Sequence, residues 1–337
     1  MNAIGGYFEL ELRKTRYYPH KNAIHLKSAR NALKLILQNH NIKEIYVPYF
    51  TCKVVLDTIK ELGCRIRFYH IKEDFSPRIK VSNKNWILYT NYFGINLRNV
   101  KNILLKYTNV IIDNAQSFFA PPSKICFYSP RKFVGVSDGG ILYDEKYNRN
   151  SLSFKKDISF ERAKFLFKRL DLNPESSYSD FKQSEDSLSS NIELISNLTK
   201  SLLFSIDYNF VKKIRIKNFN TLKKLLPNTY SLNSFDIPMV YPYFANLKLR
   251  EHLIKNRVFI PIYWPYMQEW CKKNSFEIYL QNHLLALPID QRYGTKEMKY
   301  ITNLILEAQN GGGVVAIVRK LNKNISKSNK YLKRKCA

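Results

Sequence analysis

Between Ser28 and Asp144 the chain alternates short apolar runs with stretches of helical spacing, and this alternation restricts its fold more than any other feature. Ser28 is a possible N-cap for a helix running to about Gln38, in which Ala32, Leu33, Leu35 and Ile36 share a face. A strand from about Glu44 to Val47, a helix near Lys53 to Leu62 and a strand near Arg65 to Tyr69 follow. The pattern repeats with strand Trp86 to Thr90, helix Val100 to Tyr107 and strand Asn109 to Ile112. Such alternation predicts an α/β fold: a mainly parallel, mixed sheet with helices on both faces. Ligands of these sheets collect at the carboxyl ends of the strands. Asn91, Tyr92, Asp113 and Gln116 follow strand ends in this reading and converge on one crevice. Tyr92 reads equally as a core aromatic with a satisfied hydroxyl.

Within that frame, the stretch Phe127 to Gly140, FYSPRKFVGVSDGG, holds Lys132 just past a strand and just before a glycine pair that opens another. The amine is thereby fixed at a sheet edge while the backbone turns tightly past it. Asp113, closing the apolar run Val110 to Ile112, stands at the mouth of a buried strand, where a carboxylate needs a cationic partner. Pyridoxal phosphate calls for such an arrangement: a lysine holds it as a Schiff base, and a carboxylate keeps the pyridine nitrogen protonated. Gln116 is in reach of the ring hydroxyl, and Ser129 of the phosphate. The first amide groups of the helix after Ser28 lack backbone partners and form a natural phosphate seat, which makes Ser28, Ala29 and Arg30 further candidates. The plainer alternative is a solvated lysine and a helix-capping aspartate.

IIDNAQ at 111–116 followed by SPRKFVGVSDGG resembles the DegT/DnrJ/StrS family of sugar aminotransferases, as a divergent member. SARNAL at 28–33, YVPYFTC at 46–52, TNYFG at 90–94, IYWP at 262–265 and LPIDQRY at 287–293 fall in the family's order. The resemblance implies the large domain of fold type I pyridoxal-phosphate enzymes and a smaller α+β C-terminal domain. It also implies a homodimer with shared sites, an amino-acid donor, and a keto-sugar acceptor, nucleotide-linked, in surface-polysaccharide or related sugar biosynthesis. By this resemblance Lys132 is the Schiff-base lysine, Asp113 the partner of the pyridine nitrogen and Gln116 the residue beside the ring hydroxyl. Asn91 joins the expected cofactor contacts. Phe127 stands where the family's phosphate-binding serine lies, and Ser129 instead makes a serine-x-x-lysine spacing. Cys52 falls where an aromatic usually stacks on the ring, with Tyr49 or Phe50 as substitutes. Ala29 and Arg30 replace the family's glycine and threonine, and a guanidinium there can pair with phosphate bidentately. Asn191 lies within one residue of the asparagine that a partner subunit contributes. The departures at Phe127, Cys52 and Ala29 keep open a second reading, a catalytically silent scaffold or regulatory protein.

The expected domains are an arm over 1–24, a cofactor-binding domain with its connecting helix over 25–225, a small domain over 226–310 and a basic tail over 311–337. Tyr7 to Leu12 alternates as a short strand does, and the polar stretch from about Asn148 to Ser190 reads as loops over the site or a lid. From Ile195 to Leu225 the pattern is helical and long. In the small domain MVYPYFAN and VFIPIYW read as strands, LKLREHLIKN and KEMKYITNLILEAQ as helices. GGG at 311–313 reads as a hinge.

The 55 basic and 27 acidic residues give a net charge of +28, which favours anionic partners such as nucleotide sugars. Only Arg319 to Arg334 is a concentrated basic run, and no recognition helix or zinc spacing supports nucleic-acid binding. Five cysteines without paired spacing fit a reducing cytoplasm, and the scattered histidines predict no metal site. No signal peptide is read at MNAIGGYFELEL, and no stretch approaches the roughly 20 apolar residues of a membrane span.

Overall fold

The computed structural model describes residues 4–147, 153–226 and 230–310. The expected basic tail and its glycine hinge lie outside the described residues. Strand β1 (Ile24–Leu26) leads into helix α1 (Ala29–Asn39), then β2 (Glu44–Pro48), α2 (Lys53–Glu61), β3 (Arg65–Ile71) and the short β4 (Pro77–Arg78). Next come β5 (Trp86–Thr90), α3 (Leu97–Lys106), β6 (Val110–Asn114), β7 (Ile125–Tyr128) and β8 (Gly140–Asp144). These eight strands form one sheet in the order β1-β8-β7-β6-β5-β2-β3-β4. The five central strands β7, β6, β5, β2 and β3 run parallel, while β8, β1 and β4 pair antiparallel to their neighbours.

Strand alternation sorts the side chains into two cores. Ile45, Val47, Leu88, Ile111 and Phe127 pack with Leu33, Ile36, Leu56 and Ile59 of α1 and α2 on one face. Ile87, Tyr89, Ile112 and Tyr128 face the other way, toward Val100 and Ile103 of α3. Helices therefore cover both faces, as the near-continuous apolar strands require. From β2 the chain proceeds outward through α2 to β3, and from β5 it proceeds in the opposite direction through α3 to β6. The order reverses between β2 and β5, so the crevice at their carboxyl ends is where such a sheet receives ligands.

Beyond β8 lie α4 (Lys164–Asp171), α5 (Tyr178–Asp186), α6 (Asn197–Phe204) and α7 (Tyr208–Leu225), then β9 (Val240–Phe244), α8 (Leu247–Lys255), α9 (Phe276–His283), β10 (Leu284–Pro288) and α10 (Thr295–Asn310). Strands β9 and β10 make a separate antiparallel pair, which with α8, α9 and α10 forms a smaller α+β part.

Four expectations are corrected. Tyr7 to Leu12 forms no strand: the segment has no sheet partner among the described residues, and Tyr7 and Phe8 are almost fully exposed. The polar stretch expected as loops contains α4 and α5, while 148–152 lies outside the described residues. Helix α4 buries none of its eight residues and α5 only Ser184 of its nine, so both are short elements set within a polar stretch. The long helical stretch is two helices, because Asp207 accepts from the Phe210 amide and starts α7 afresh. VFIPIYW is not a strand; Pro261 has no N–H for a ladder, and the segment instead packs Tyr263 and Trp264 against Phe93 and Phe50.

Candidate active site

Across the sheet, the carboxyl ends of β7, β6, β5 and β2 present Ser129 to Lys132, Asp113 to Gln116, Asn91, and Cys52 in that lateral order. Asp113 lies within β6 rather than after it, paired in register with Thr90 and Phe127. It alternates with Ile112 and so shares the α1 face of the sheet. Its Oδ1 accepts from the Ala115 amide at 2.8 Å, which fixes the carboxylate. Burial pushes its pKa up, and Lys132 and the Ala115 bond partly offset this.

Lys132 ends a single helical turn, Pro130–Lys132, that follows Ser129. Its side chain is accessible to solvent yet surrounded by protein, as in a cleft. Removal from bulk water lowers the pKa of its ammonium; Asp113 and Cys52 oppose that shift and Arg131 adds to it. Lys132 and Asp113 feel one another without forming a direct ion pair. The arrangement is an amine biased toward its neutral, nucleophilic form, with an anchored acid opposite.

Several polar atoms around the pair are buried without partners. Gln116 receives the Phe93 amide on Oε1 at 3.0 Å, while its Nε2 has no partner among the described residues. Asn91 donates from Nδ2 to Asn114 Oδ1 at 2.9 Å, and its own Oδ1 is unpaired among the described residues, as is Oγ1 of Thr90. Such groups are costly in a finished core and ordinary where a ligand binds. The turn that sets Gln116 is tight: Phe93 sits in the left-handed region at φ 57°, and a Cβ on Gly94 would overlap the Ile237 carbonyl oxygen. Tyr92 is fully buried and donates to Phe50 O at 2.8 Å, so it is a core aromatic.

The expected phosphate seat is built from three strands of chain. Ser28 caps α1, accepting from the Asn31 amide at 3.2 Å, so its hydroxyl is engaged and its value to a ligand lies in the amides of Ala29 and Arg30. Ser28 bridges Gly139, and the Gly139 amide donates to Lys27 O at 2.7 Å. Gly139 takes φ 107°, and a Cβ on Gly140 would overlap the Ser28 carbonyl; both glycines are required to bring α1 against the lysine loop. Ser129 is buried, on the α1 side by strand parity, and its hydroxyl makes no hydrogen bond among the described residues. Phe127 belongs to the α1 core, so its position offers a phosphate nothing to bond.

Arg30 is half-buried and donates to Leu188 O at 2.8 Å. Beyond it a cavity of about 140 Å³ is lined by Arg30, Val54, Asp57, Thr58, Glu61 and Ser190, with neither Lys132 nor Asp113 in its wall. Cys52 begins α2 and lies within electrostatic reach of Lys132, Arg131 and Tyr263. Neither Tyr49, stacked 4.8 Å from Phe68, nor Phe50, enclosed by Tyr92 and Trp264, replaces an aromatic at that position. Tyr263 is the aromatic that approaches Cys52. Asn191 is exposed.

Sequence reasoning passed over Arg131, whose guanidinium is paired with Glu185 of α5. It also passed over Asp138, fully buried, which accepts from Thr199 Oγ1 at 2.6 Å and from Arg162 at 3.2 Å and so holds the turn before the glycine pair. A buried acid directly before Gly139 was the available signal. Arg215, from α7, donates to Phe133 O at 3.1 Å and thereby ties the residue after Lys132 to the smaller part of the molecule, together with Gln291 at 2.8 Å.

No protein-family model matches the chain, and no curated protein matches it. Solved structures do. A putative sugar aminotransferase of Streptococcus pneumoniae in its PLP form superposes with a TM-score of 0.60 over 86% of this chain and 87% of its own, at 15% identity. A DegT DnrJ EryC1 StrS aminotransferase from Brucella abortus gives 0.59 over 86% and 87%, also at 15% identity. The GDP-4-keto-6-deoxymannose-3-dehydratase ColD with bound GDP-perosamine gives 0.60 over 86% and 89%, at 14% identity. The chain has the fold of these proteins.

Proposed function

We propose that this protein is a pyridoxal-phosphate-dependent aminotransferase of the DegT/DnrJ/StrS type, which passes the amino group of an amino acid to a keto sugar, nucleotide-linked, in polysaccharide or related biosynthesis. The observation that carries the reading is the placement of Lys132, an amine of lowered basicity, within electrostatic reach of the anchored Asp113 at the carboxyl ends of the neighbouring strands β7 and β6. The fold neighbours support it, since they include sugar aminotransferases and a protein with a bound nucleotide sugar.

The residues present fit the cofactor. Lys132 Nζ would hold its aldehyde carbon, Asp113 its ring nitrogen, and the unpaired Nε2 of Gln116 its ring hydroxyl. The Ala29 and Arg30 amides and the Ser129 hydroxyl would receive its phosphate. When bound, pyridoxal phosphate supplies an electron sink for negative charge at the donor's carbon. Asp113 is held as a hydrogen-bonded carboxylate, and a cation beside it removes the penalty that burial imposes on its charge. Lys132 in its neutral form would accept a proton at Nζ from the donor carbon and return it at the acceptor side, as general base and then general acid. That role requires a neutral amine, and removal of Lys132 from bulk water shifts its pKa in that direction.

The N-terminal arm, with Ile4, Tyr7, Phe8 and Leu10 exposed, supports a homodimer in which a second copy covers it. The free Cys52, Cys64, Cys126 and Cys271 support a reducing compartment, and no helix among the described residues is long and apolar enough to cross a membrane.

Titrating the purified chain with pyridoxal phosphate should raise a visible absorption band, and glutamate should shift that band in a single half-reaction. A band that no amino-acid donor shifts would identify the silent scaffold instead.

A further inference from the structure

Arg30 and Arg131 come from different elements and end on the same turn. Arg131, immediately before Lys132, pairs with Glu185 near the end of α5. Arg30 donates to Leu188 O at 2.8 Å, and the Leu188 amide closes the turn onto Glu185 O at 3.3 Å. The two guanidiniums therefore stand together at the start of α1, beside the Ser28 and Gly139 bridge, and each feels the other's charge. Arg131 has Glu185 as its ion-pair partner, whereas Arg30 has none among the described residues; the acid that feels Arg30, Glu61, is already paired with Lys34. Asp138, the next acid, is already bonded by Arg162, Thr199 and Ser137. Two part-buried guanidiniums with one ion-pair partner between them, the other acids nearby being engaged by Lys34 and Arg162, form a site that gains from a further anion, and planar guanidiniums suit phosphate oxygens.

We propose that Arg30 and Arg131 form a clamp for the phosphate ester of the cofactor, with Glu185 as the built-in carboxylate that competes for Arg131. The clamp rests on the cofactor reading above and does part of the work that the phenyl ring of Phe127 cannot do. It has a consequence for α5. That helix buries only Ser184, and its other ties run to α4, through Asp180 with Lys168 and the Phe181 ring against Phe165. The Glu185 pair is thus its link to the lysine loop, and phosphate entering the clamp loosens that link.

The test uses the full chain at low ionic strength with inorganic phosphate as the probe, followed by calorimetry, and then phosphate against pyridoxal phosphate, followed by the visible band. Arg131→Gln should weaken phosphate about tenfold or more, the effect of losing a charged hydrogen-bond donor. Glu185→Gln should tighten it by roughly two- to fivefold, the value of a partly exposed ion pair. Because these changes have opposite signs, a folding defect in one variant cannot imitate the result. Phosphate should also compete with pyridoxal phosphate for the wild type. Phosphate binding that ignores both substitutions, or that persists undiminished in protein saturated with pyridoxal phosphate, overturns the clamp while leaving the visible band intact. A wild type with no visible band at any cofactor concentration instead sinks the cofactor reading, and with it the assignment of the ester.

Discussion

Gly140→Ala tests whether the α1 terminus and the lysine loop are one construction. The new Cβ would lie 2.5 Å from the Ala29 amide nitrogen, where ordinary contact begins at 3.4 Å, and it would overlap the Ser28 carbonyl more severely. Both obstacles are backbone, and the Ser28 carbonyl sets the distance: relief to ordinary contact requires α1 or the loop to retreat by about 1.4 Å. Overpacking of this kind costs on the order of 2–3 kcal/mol. For a chain of this size that lowers the melting temperature by roughly 3–4 °C. The same retreat moves the Ala29 and Arg30 amides out of hydrogen-bond range of a phosphate, so pyridoxal phosphate affinity should fall about tenfold or more. Gly135→Ala is the control within the same loop, because its Cβ would meet only Leu166 Cδ2 at 4.0 Å. Differential scanning fluorimetry and titration of the visible band read both effects. If the two variants melt together and bind the cofactor alike, the reasoning about the glycine contact is wrong.

Other outcomes follow from the same region. Asp113→Asn removes the charge that opposes the lowering of the Lys132 pKa, so the amine should lose its proton at a still lower pH. Competitive acetylation of the cofactor-free protein, read by peptide mass spectrometry, should place the Lys132 midpoint below the ordinary lysine value of 10.5 in the wild type and lower again in the variant; a rise would refute it. Stability should respond as well. Asp113 has a raised folded pKa, so its charge costs stability as pH rises above 3.8, and Asp113→Asn should leave the protein no less stable at neutral pH in urea unfolding. Arg215→Met removes the side-chain donor to the Pro238 and Met239 carbonyls, while Phe133 O keeps Gln291, and should cost about 2–3 kcal/mol by denaturant unfolding.

The sheet and its crevice were legible because their causes are local. Apolar runs of strand length from Glu44 to Asn114, broken by amphipathic helices, leave few alternatives to a parallel sheet, and Lys132 and Asp113 then fall at neighbouring strand ends. What could not be read depends on partners distant in sequence. Helices α4 and α5 are only eight and nine residues long and lie within a polar stretch, so their short apolar spacing did not stand out. Arg131 looked like one surface cation among many until Glu185 and Arg30 were placed beside it. The segment VFIPIYW had strand-forming residues, but a strand exists only where a neighbouring edge is offered, and Pro261 declines the ladder. Alternation at Tyr7 to Leu12 failed for the same reason.

The central claim is that Nζ of Lys132 is the group that bonds the cofactor. Borohydride reduction of the protein with pyridoxal phosphate, followed by peptide mapping, should find the pyridoxyl label on Lys132 and no label above background in Lys132→Ala. Labelling of another lysine at equal yield, with Lys132 unmodified, would contradict the account.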